Sequence, residues 1–273
     1  MKKSSLVKTL ALVLALAFLF ASCGSATTAS GKKTLKDGIL TIGLDDNYPP
    51  MEFHDEKNDL VGFDIDLANA IGEKMGLKVE FVPIAWDGIF EALKTDRYDM
   101  IMSAVSMTPE RLENFEFTKP YLANGQVIVG KPGDTTIKSA KDLAGKKVGV
   151  QTNTTADTAC VKYIETEKID FELTRYDDII QTFEAMNANR IDYIVVDYAV
   201  AIDYQTKHPD LYYITGAQLT NEPIAVCFKK GNTALRDEVQ KAIDGVRKDG
   251  KLAEFSKKWF QEDYTSNIDE KLY

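Results

Sequence analysis

Histidine and cysteine are scarce in this chain, with two and three residues among 273. His54 and His208 lie far apart, and Cys160 and Cys227 fall into no C-x-x-C or H-x-x-x-H spacing, so the sequence encodes neither a structural zinc site nor a redox pair. Catalytic signatures are missing too. There is no G-x-S-x-G, G-x-x-x-x-G-K-[ST] or G-x-G-x-x-G, and neither histidine stands beside a nucleophile. A basic excess is also lacking. Lys and Arg number 33 against 42 Asp and Glu, a net charge of −9, which leaves no cationic surplus for phosphates and excludes nucleic acid as a partner. What is present is a globular composition, 44% apolar and 27% charged, sufficient for one large or two medium domains with cores. Disorder, collagen and small disulfide scaffolds are excluded.

Lys2, Lys3 and Lys8 precede an apolar run over residues 10–21, which is followed by Ser22, Cys23 and Gly24. This is the pattern of a signal peptide, residues 1–22. As a helix the run would reach about 18 Å, short of the ~30 Å hydrocarbon core that a permanent span must cross. The position of Cys23 resembles the bacterial lipobox, in which the signal is cut before a cysteine that carries lipid, although Phe20 stands where that motif usually has Leu. Residues 23–33, rich in Ser, Thr, Ala and Gly, cannot bury a core and read as a flexible tether. The folded body is expected from residue 34. It holds Cys160 and Cys227, expected as buried free thiols, though pairing outside the cytoplasm stays open.

From residue 39 short β-rich runs alternate with amphipathic stretches, the grammar of an α/β protein. Strands are expected at 39–44, 79–82 and 100–103, with helices at 64–75, 87–95 and after Thr108-Pro109. Leu67, Ile71 and Met75 give the first helix its four-residue repeat, Gly76 its stop, and Asp64 and Asp66 are expected as its caps. Downstream, strands are expected at 127–130, 147–150, 171–176, 193–196, 211–215 and 224–228. Helices fall between them at 139–144, 156–167, from an Asp177 cap to 187, at 198–207, and after Thr233. Two βα series of similar length suggest two lobes.

The polar residues at the strand ends are the candidate site, because open α/β sheets bind ligands there. Arg111, in the first turn after Thr108-Pro109, suits a carboxylate gripped bidentately, or else an ordinary surface ion pair with Glu110 or Glu113. Asp197 ends the run Ile194-Val195-Val196 and is either a partner for an ammonium group or the cap of the next helix. Thr154 and Thr155 offer hydroxyls and amides to an anion, or cap a helix. Tyr48 and Trp86 stand in loops, either to enclose apolar or cationic groups or as core.

In order and spacing these pieces resemble the amino-acid-binding family of substrate-binding proteins that serve ABC importers, from residue 40 to residue 260. The most specific stretch is Val61-Gly62-Phe63-Asp64-Ile65-Asp66-Leu67-Ala68. It is followed by Ser103-Ala104-Val105-Ser106-Met107-Thr108-Pro109-Glu110-Arg111, by Phe117-Thr118-Lys119-Pro120-Tyr121, by Gly149 through Thr155, and by Ile191-Asp192 leading to Asp197. The resemblance implies a two-lobed fold like that of periplasmic binding proteins. Two hinge crossovers, near 123–126 and 220–223, join lobe one (34–124 and 222–273) to lobe two (125–221), with the ligand cleft between them.

The resemblance further implies the ligand contacts. Arg111 grips the α-carboxylate, helped by the Ser106 region, by Thr155 and by its neighbour Thr154. Asp197 holds the α-ammonium, with the backbone of the Ser103–Ala104 stretch. Tyr48 and Trp86 flank the ligand side chain, and Asp45 meets its head. Two positions depart from the family: Asn153 replaces a usual glycine, and Ala104 stands where some relatives have serine. Binding by hinge closure is implied, with no cofactor, no metal and no catalysis, by a monomer. The expected partners are a small L-amino acid, an ABC permease with its ATPase subunits, and the outer face of a membrane through the lipid on Cys23. Asp45 favours a basic amino acid first, then glutamine or another polar one, then cystine. The rival is a cyclohexadienyl (arogenate/prephenate) dehydratase-like enzyme on the same fold, which needs a general acid in the cleft. A receptor sensing domain would need a transmembrane helix and a signalling domain, for which the sequence offers no candidate.

Overall fold

Strand β1 (Ile39–Leu44) is buried over its last five residues and is an interior strand of the first of two five-stranded sheets in the computed structural model, which describes residues 34–272. The expected signal peptide, tether and Cys23 lie outside the described residues. In chain order, β2 (Asn47–Tyr48), β3 (Glu52–His54) and β4 (Leu60–Val61) make a small antiparallel sheet. Helix α1 (Phe63–Met75), β5 (Lys78–Pro83), α2 (Ile89–Lys94), β6 (Met100–Ile101), α3 (Pro109–Asn114) and β7 (Phe115–Phe117) follow. The chain then builds the second large sheet with β8 (Gln126–Gly130), β9 (Lys147–Gln151), α4 (Thr155–Glu165), β10 (Glu172–Tyr176), α5 (Ile179–Asn187), β11 (Tyr193–Asp197), α6 (Tyr198–Lys207) and β12 (Tyr213–Thr215). It returns for β13 (Cys227–Lys229), α7 (Thr233–Lys248) and α8 (Lys251–Phe260).

The first sheet is ordered β5-β1-β6-β13-β7 and the second β10-β9-β11-β8-β12. Each has three parallel strands extended by two whose ladders are antiparallel. The two lobes therefore share one plan, and the chain passes between them twice, from β7 to β8 and from β12 to β13. These crossovers run side by side. The Glu222 amide donates to the Asn124 carbonyl at 3.0 Å, and the Leu219 amide donates to the Gln126 carbonyl at 2.8 Å. Gly125 is obligatory there, since a Cβ on it would stand 2.0 Å from the Thr220 carbonyl oxygen.

Helix α1 buries Phe63, Leu67, Ile71 and Met75 against α7, α8 and the first sheet, each side chain contributing about 2 kcal/mol. Its start departs from expectation. The N-cap is Gly62, and neither Asp64 nor Asp66 caps the helix. The first amides are met by backbone instead, Phe63 donating to the Pro50 carbonyl and Asp64 to that of Met51. That close approach needs glycine at 62, where φ is 144° and a Cβ would lie 2.0 Å from the Met51 oxygen. Asp66 accepts from Lys258 and from the Trp259 indole, both at 2.7 Å.

Other elements shift by one or two residues. Asp178, not Asp177, caps α5 by accepting from the Gln181 amide. The expected helix 87–95 divides into a 3₁₀ turn at Trp86–Gly88 and α2, and the helix at 139–144 is a 3₁₀ turn, Ala140–Leu143, closed by a Ser139–Asp142 capping box. The last expected strand begins at Cys227, because Ile224 only bridges to Ser106 and Leu122. Strands β2, β3, β4 and β7 are too short for a two-residue period to mark. Cys160 and Cys227 are buried free thiols, and burial pushes the Cys160 thiol up to about 12.

Candidate functional site

Five strand ends deliver the site. β1 leads into Asp45, β5 toward Trp86, β6 into Ser103 and Ala104, β9 ends at Gln151 before Thr154 and Thr155, and β11 ends at Asp197. This is where parallel strands leave main-chain groups and helix starts facing a crevice. One cavity of about 310 Å³, counting its mouth, is lined by Asp45, Tyr48, Trp86, Ser103, Ala104, Ser106, Arg111, Gln151, Thr154, Thr155 and Asp197. All ten cavity candidates named from the sequence meet here, drawn from both lobes. Gln151 is the addition. Its signal was a polar residue at the buried end of an otherwise apolar strand.

Arg111 makes no ion pair among the described residues, which overturns the surface-pair alternative. Thr108 fixes the start of α3 by accepting from the Arg111 amide at 3.1 Å, and the guanidinium donates to the Ser106 carbonyl at 2.9 Å. Its plane lies over Phe90 and Trp86, 4.9 and 5.5 Å from the ring centres. Burial lowers its pKa, yet guanidinium remains charged.

Asp197 is not a side-chain cap either. Its carboxylate accepts from Asn124 (2.6 Å), from Gln126 (2.8 Å) and, across the cleft, from the Tyr48 hydroxyl (2.6 Å). Burial raises its pKa and these three bonds oppose the rise. The Gln126 amide nitrogen also donates to Thr155 at 2.9 Å, while its Oε1 is buried with no donor. Thr154 does cap α4, accepting from the Asp157 amide at 3.3 Å. Asn124 and Gln126 escaped the sequence reading because their partner lies about seventy residues away.

Asp45 is held differently. Its backbone amide donates to Ser103 Oγ at 3.0 Å, and its carboxylate accepts from Gln151 Nε2 of the other lobe at 3.1 Å. Burial raises its pKa to about 6, against the bonds from Gln151 and from the Asn47 amide. The cavity mouth is bridged next to it. The Trp86 indole donates to the Asn153 carbonyl at 3.0 Å, and the Asn153 side-chain Nδ2 donates to Asp87. Asn153 has φ of 56° and Ala104 φ of 45°, the left-handed region that Asn tolerates more readily than Ala. No cluster of metal-ligating side chains occurs among the described residues.

A family model described as "bacterial extracellular solute-binding proteins, family 3" matches residues 40–262. The L-cystine-binding protein TcyJ of Escherichia coli strain K12 is 33% identical over 234 residues, covering 85% of this chain and 86% of the relative. ABC transporter arginine-binding protein 1 of the same strain is 31% identical over 251 residues, with 90% of this chain and 98% of the relative covered. Among solved structures, an ancestral arginine-binding protein bound to arginine superposes with a TM-score of 0.76 at 38% identity, over 82% of this chain and 98% of its own.

Proposed function

The chain belongs to the bacterial extracellular solute-binding proteins, family 3, and from that premise we propose that it captures a basic L-amino acid and delivers it to an ABC importer. It is a binding protein, not an enzyme, and the dehydratase alternative falls with that. One observation carries the choice of ligand: the cavity is lined by one cation, Arg111, and two acids, Asp45 and Asp197. A zwitterion takes one charge of each sign. The remaining acid calls for a cationic side chain.

In this reading Arg111, with Ser106, Thr154 and Thr155, holds the α-carboxylate. Asp197 and the Ser103–Ala104 backbone hold the α-ammonium, Tyr48 and Trp86 enclose the stem, and Asp45 with Gln151 meets the cationic head. The names of the relatives include both arginine and cystine binders. Cystine would bring a second carboxylate, for which the lining offers no second cation, so arginine, lysine or ornithine ranks first. Because the contacts come from both lobes, ligand completes them only when the cleft is closed and shifts the population that way. The lobes are assigned as 34–124 with 222–273 and 125–221, and the protein acts as a monomer. Residues 1–22 are assigned as a lipoprotein signal and 23–33 as a tether from lipidated Cys23, so that closure is presented to the permease at the membrane surface.

The test is calorimetric titration and thermal shift of residues 34–273, refolded to strip bound ligand, against the twenty L-amino acids, ornithine and cystine. A ligand that binds only the folded state raises Tm. Arginine, lysine or ornithine should give the largest shift; silence from every compound would sink the proposal. Replacing Cys23 in the full chain, C23S, should move the protein from the membrane to the soluble fraction of the native host.

A further inference from the structure

Behind the cavity wall, two carboxyl groups that no ligand reaches touch one another. Glu52 of β3 and Asp64 of α1 are both wholly buried, and their carboxyls are in hydrogen-bonding contact. Counting donors fixes where the proton is. Asp64 Oδ1 accepts from the Tyr121 hydroxyl at 2.8 Å and Oδ2 from the Ala104 amide at 2.9 Å. Glu52 Oε1 accepts from the Ser103 hydroxyl at 2.7 Å. Glu52 Oε2 is the one oxygen of the four without a donor. Two adjacent buried carboxylates cannot both be ionised, and an oxygen that receives nothing must itself donate.

The partners of the pair are lining residues of the cavity. Ser103 relays from Glu52 to the Asp45 backbone amide, and Asp64 holds the Ala104 amide in a left-handed turn that alanine does not favour on its own. We propose that Glu52 is a positioning residue kept as the neutral acid, whose proton is shared with the Asp64 carboxylate, and that this proton fixes the Ser103–Ala104 turn against which the amino acid binds. The proposal rests on the assignment of the cavity as the amino-acid site. The ionisable groups that face the pair are Asp45 at the end of β1, Tyr121 after β7 and Tyr48 of β2, none of them cationic. Burial and the neighbouring Asp64 hold Glu52 far above an ordinary glutamate.

A carboxyl whose folded pKa is raised binds its proton more tightly in the folded than in the unfolded chain. Stability therefore falls as pH climbs from the ordinary value toward the raised one. Asp45, at about 6, adds a fall of the same sign below that pH, one that does not depend on the shared proton. The experiment compares the wild type with Glu52→Gln and Asp64→Asn, reading Tm without ligand from pH 5 to pH 9 and the Kd for arginine at pH 7. Glutamine reproduces the neutral acid, donating to Asp64 and accepting from Ser103. E52Q should bind arginine within about twofold of wild type, and its Tm should gain on the wild type steadily as pH rises above 6. D64N turns an amide donor toward the Ala104 amide or the Tyr121 hydroxyl and should lose tenfold or more in affinity.

A Tm difference between E52Q and wild type that stays flat with pH would overturn the proposal, as would an affinity loss in E52Q equal to that in D64N. If D64N does not fold, the E52Q pH series alone decides. Failure of arginine to bind the wild type would refute the ligand assignment and leave the Tm series, which uses no ligand, to judge the shared proton.

Discussion

The side of the cavity next to the crossovers and the side away from them are built on opposite principles. Next to the crossovers, Asp197 is fixed by three neutral donors from two segments, and Arg111 lies against two rings with a carbonyl at its tip. Neither group has freedom to turn. On the far side Asp45 has one side-chain donor, Gln151 of the other lobe, and a pKa near 6 that leaves its charge responsive to what approaches. The rigid side suits the groups common to every amino acid, whereas the responsive side suits the part that differs between them. Under the proposed function, discrimination would come from a site whose charge is balanced only by the correct partner.

The largest expected effect tests the rigid side. Arg111→Ala should cost about 3 kcal/mol of affinity for every amino acid that binds, roughly a hundredfold in Kd by calorimetry. A loss confined to basic ligands would erase the contrast between the two sides. Next comes Asp45→Asn, expected to weaken arginine and lysine by about tenfold, or ~1.4 kcal/mol, while any neutral ligand is spared. Equal losses across ligands would place Asp45 on the rigid side.

The same contrast has a pH signature. Since Asp45 protonates near 6 and its protonated form should bind like the Asn variant, arginine affinity should fall about fivefold between pH 7 and pH 5. A neutral amino acid titrated over the same range should show no such fall. The smallest expected effect is at the mouth. Asn153→Gly keeps the left-handed backbone but loses the bond to Asp87, so affinity should drop about two- to fivefold for all ligands alike, through a faster off-rate in stopped-flow measurements. A change in ligand ranking would show that the mouth discriminates as well as latches.

The strand ends were legible where a polar residue interrupts or follows an apolar β run, as Asp197 does after Ile194-Val195-Val196 and Asp45 after β1. The two βα series were legible for the same reason. What escaped notice depends on partners distant in sequence. Nothing local distinguishes Asn124 and Gln126, whose bonds to Asp197 exist only once the second sheet has closed on the crossovers. Glu52 sits in the acidic stretch Met51-Glu52-Phe53-His54-Asp55-Glu56 and looks like a surface acid until β3 folds over α1. Asp64 looked like a helix cap because the true cap, Gly62, works by letting the Met51 backbone come close, which a sequence pattern of capping side chains does not register.

The contact between Gly125 and Thr220 bears on the mechanics of opening. Two separate linkers could each twist at will, giving the lobes a broad range of relative attitudes. Here the linkers are bonded to each other and touch where only a hydrogen-sized side chain fits, so a torsion in one is transmitted to the other. In the proposed closure the joint would then act as a door hinge with one axis rather than a ball and socket. A distance probe spanning the lobes should therefore report two sharp populations exchanging along a single coordinate, and a permease that senses that one distance has read the whole state of its cargo carrier.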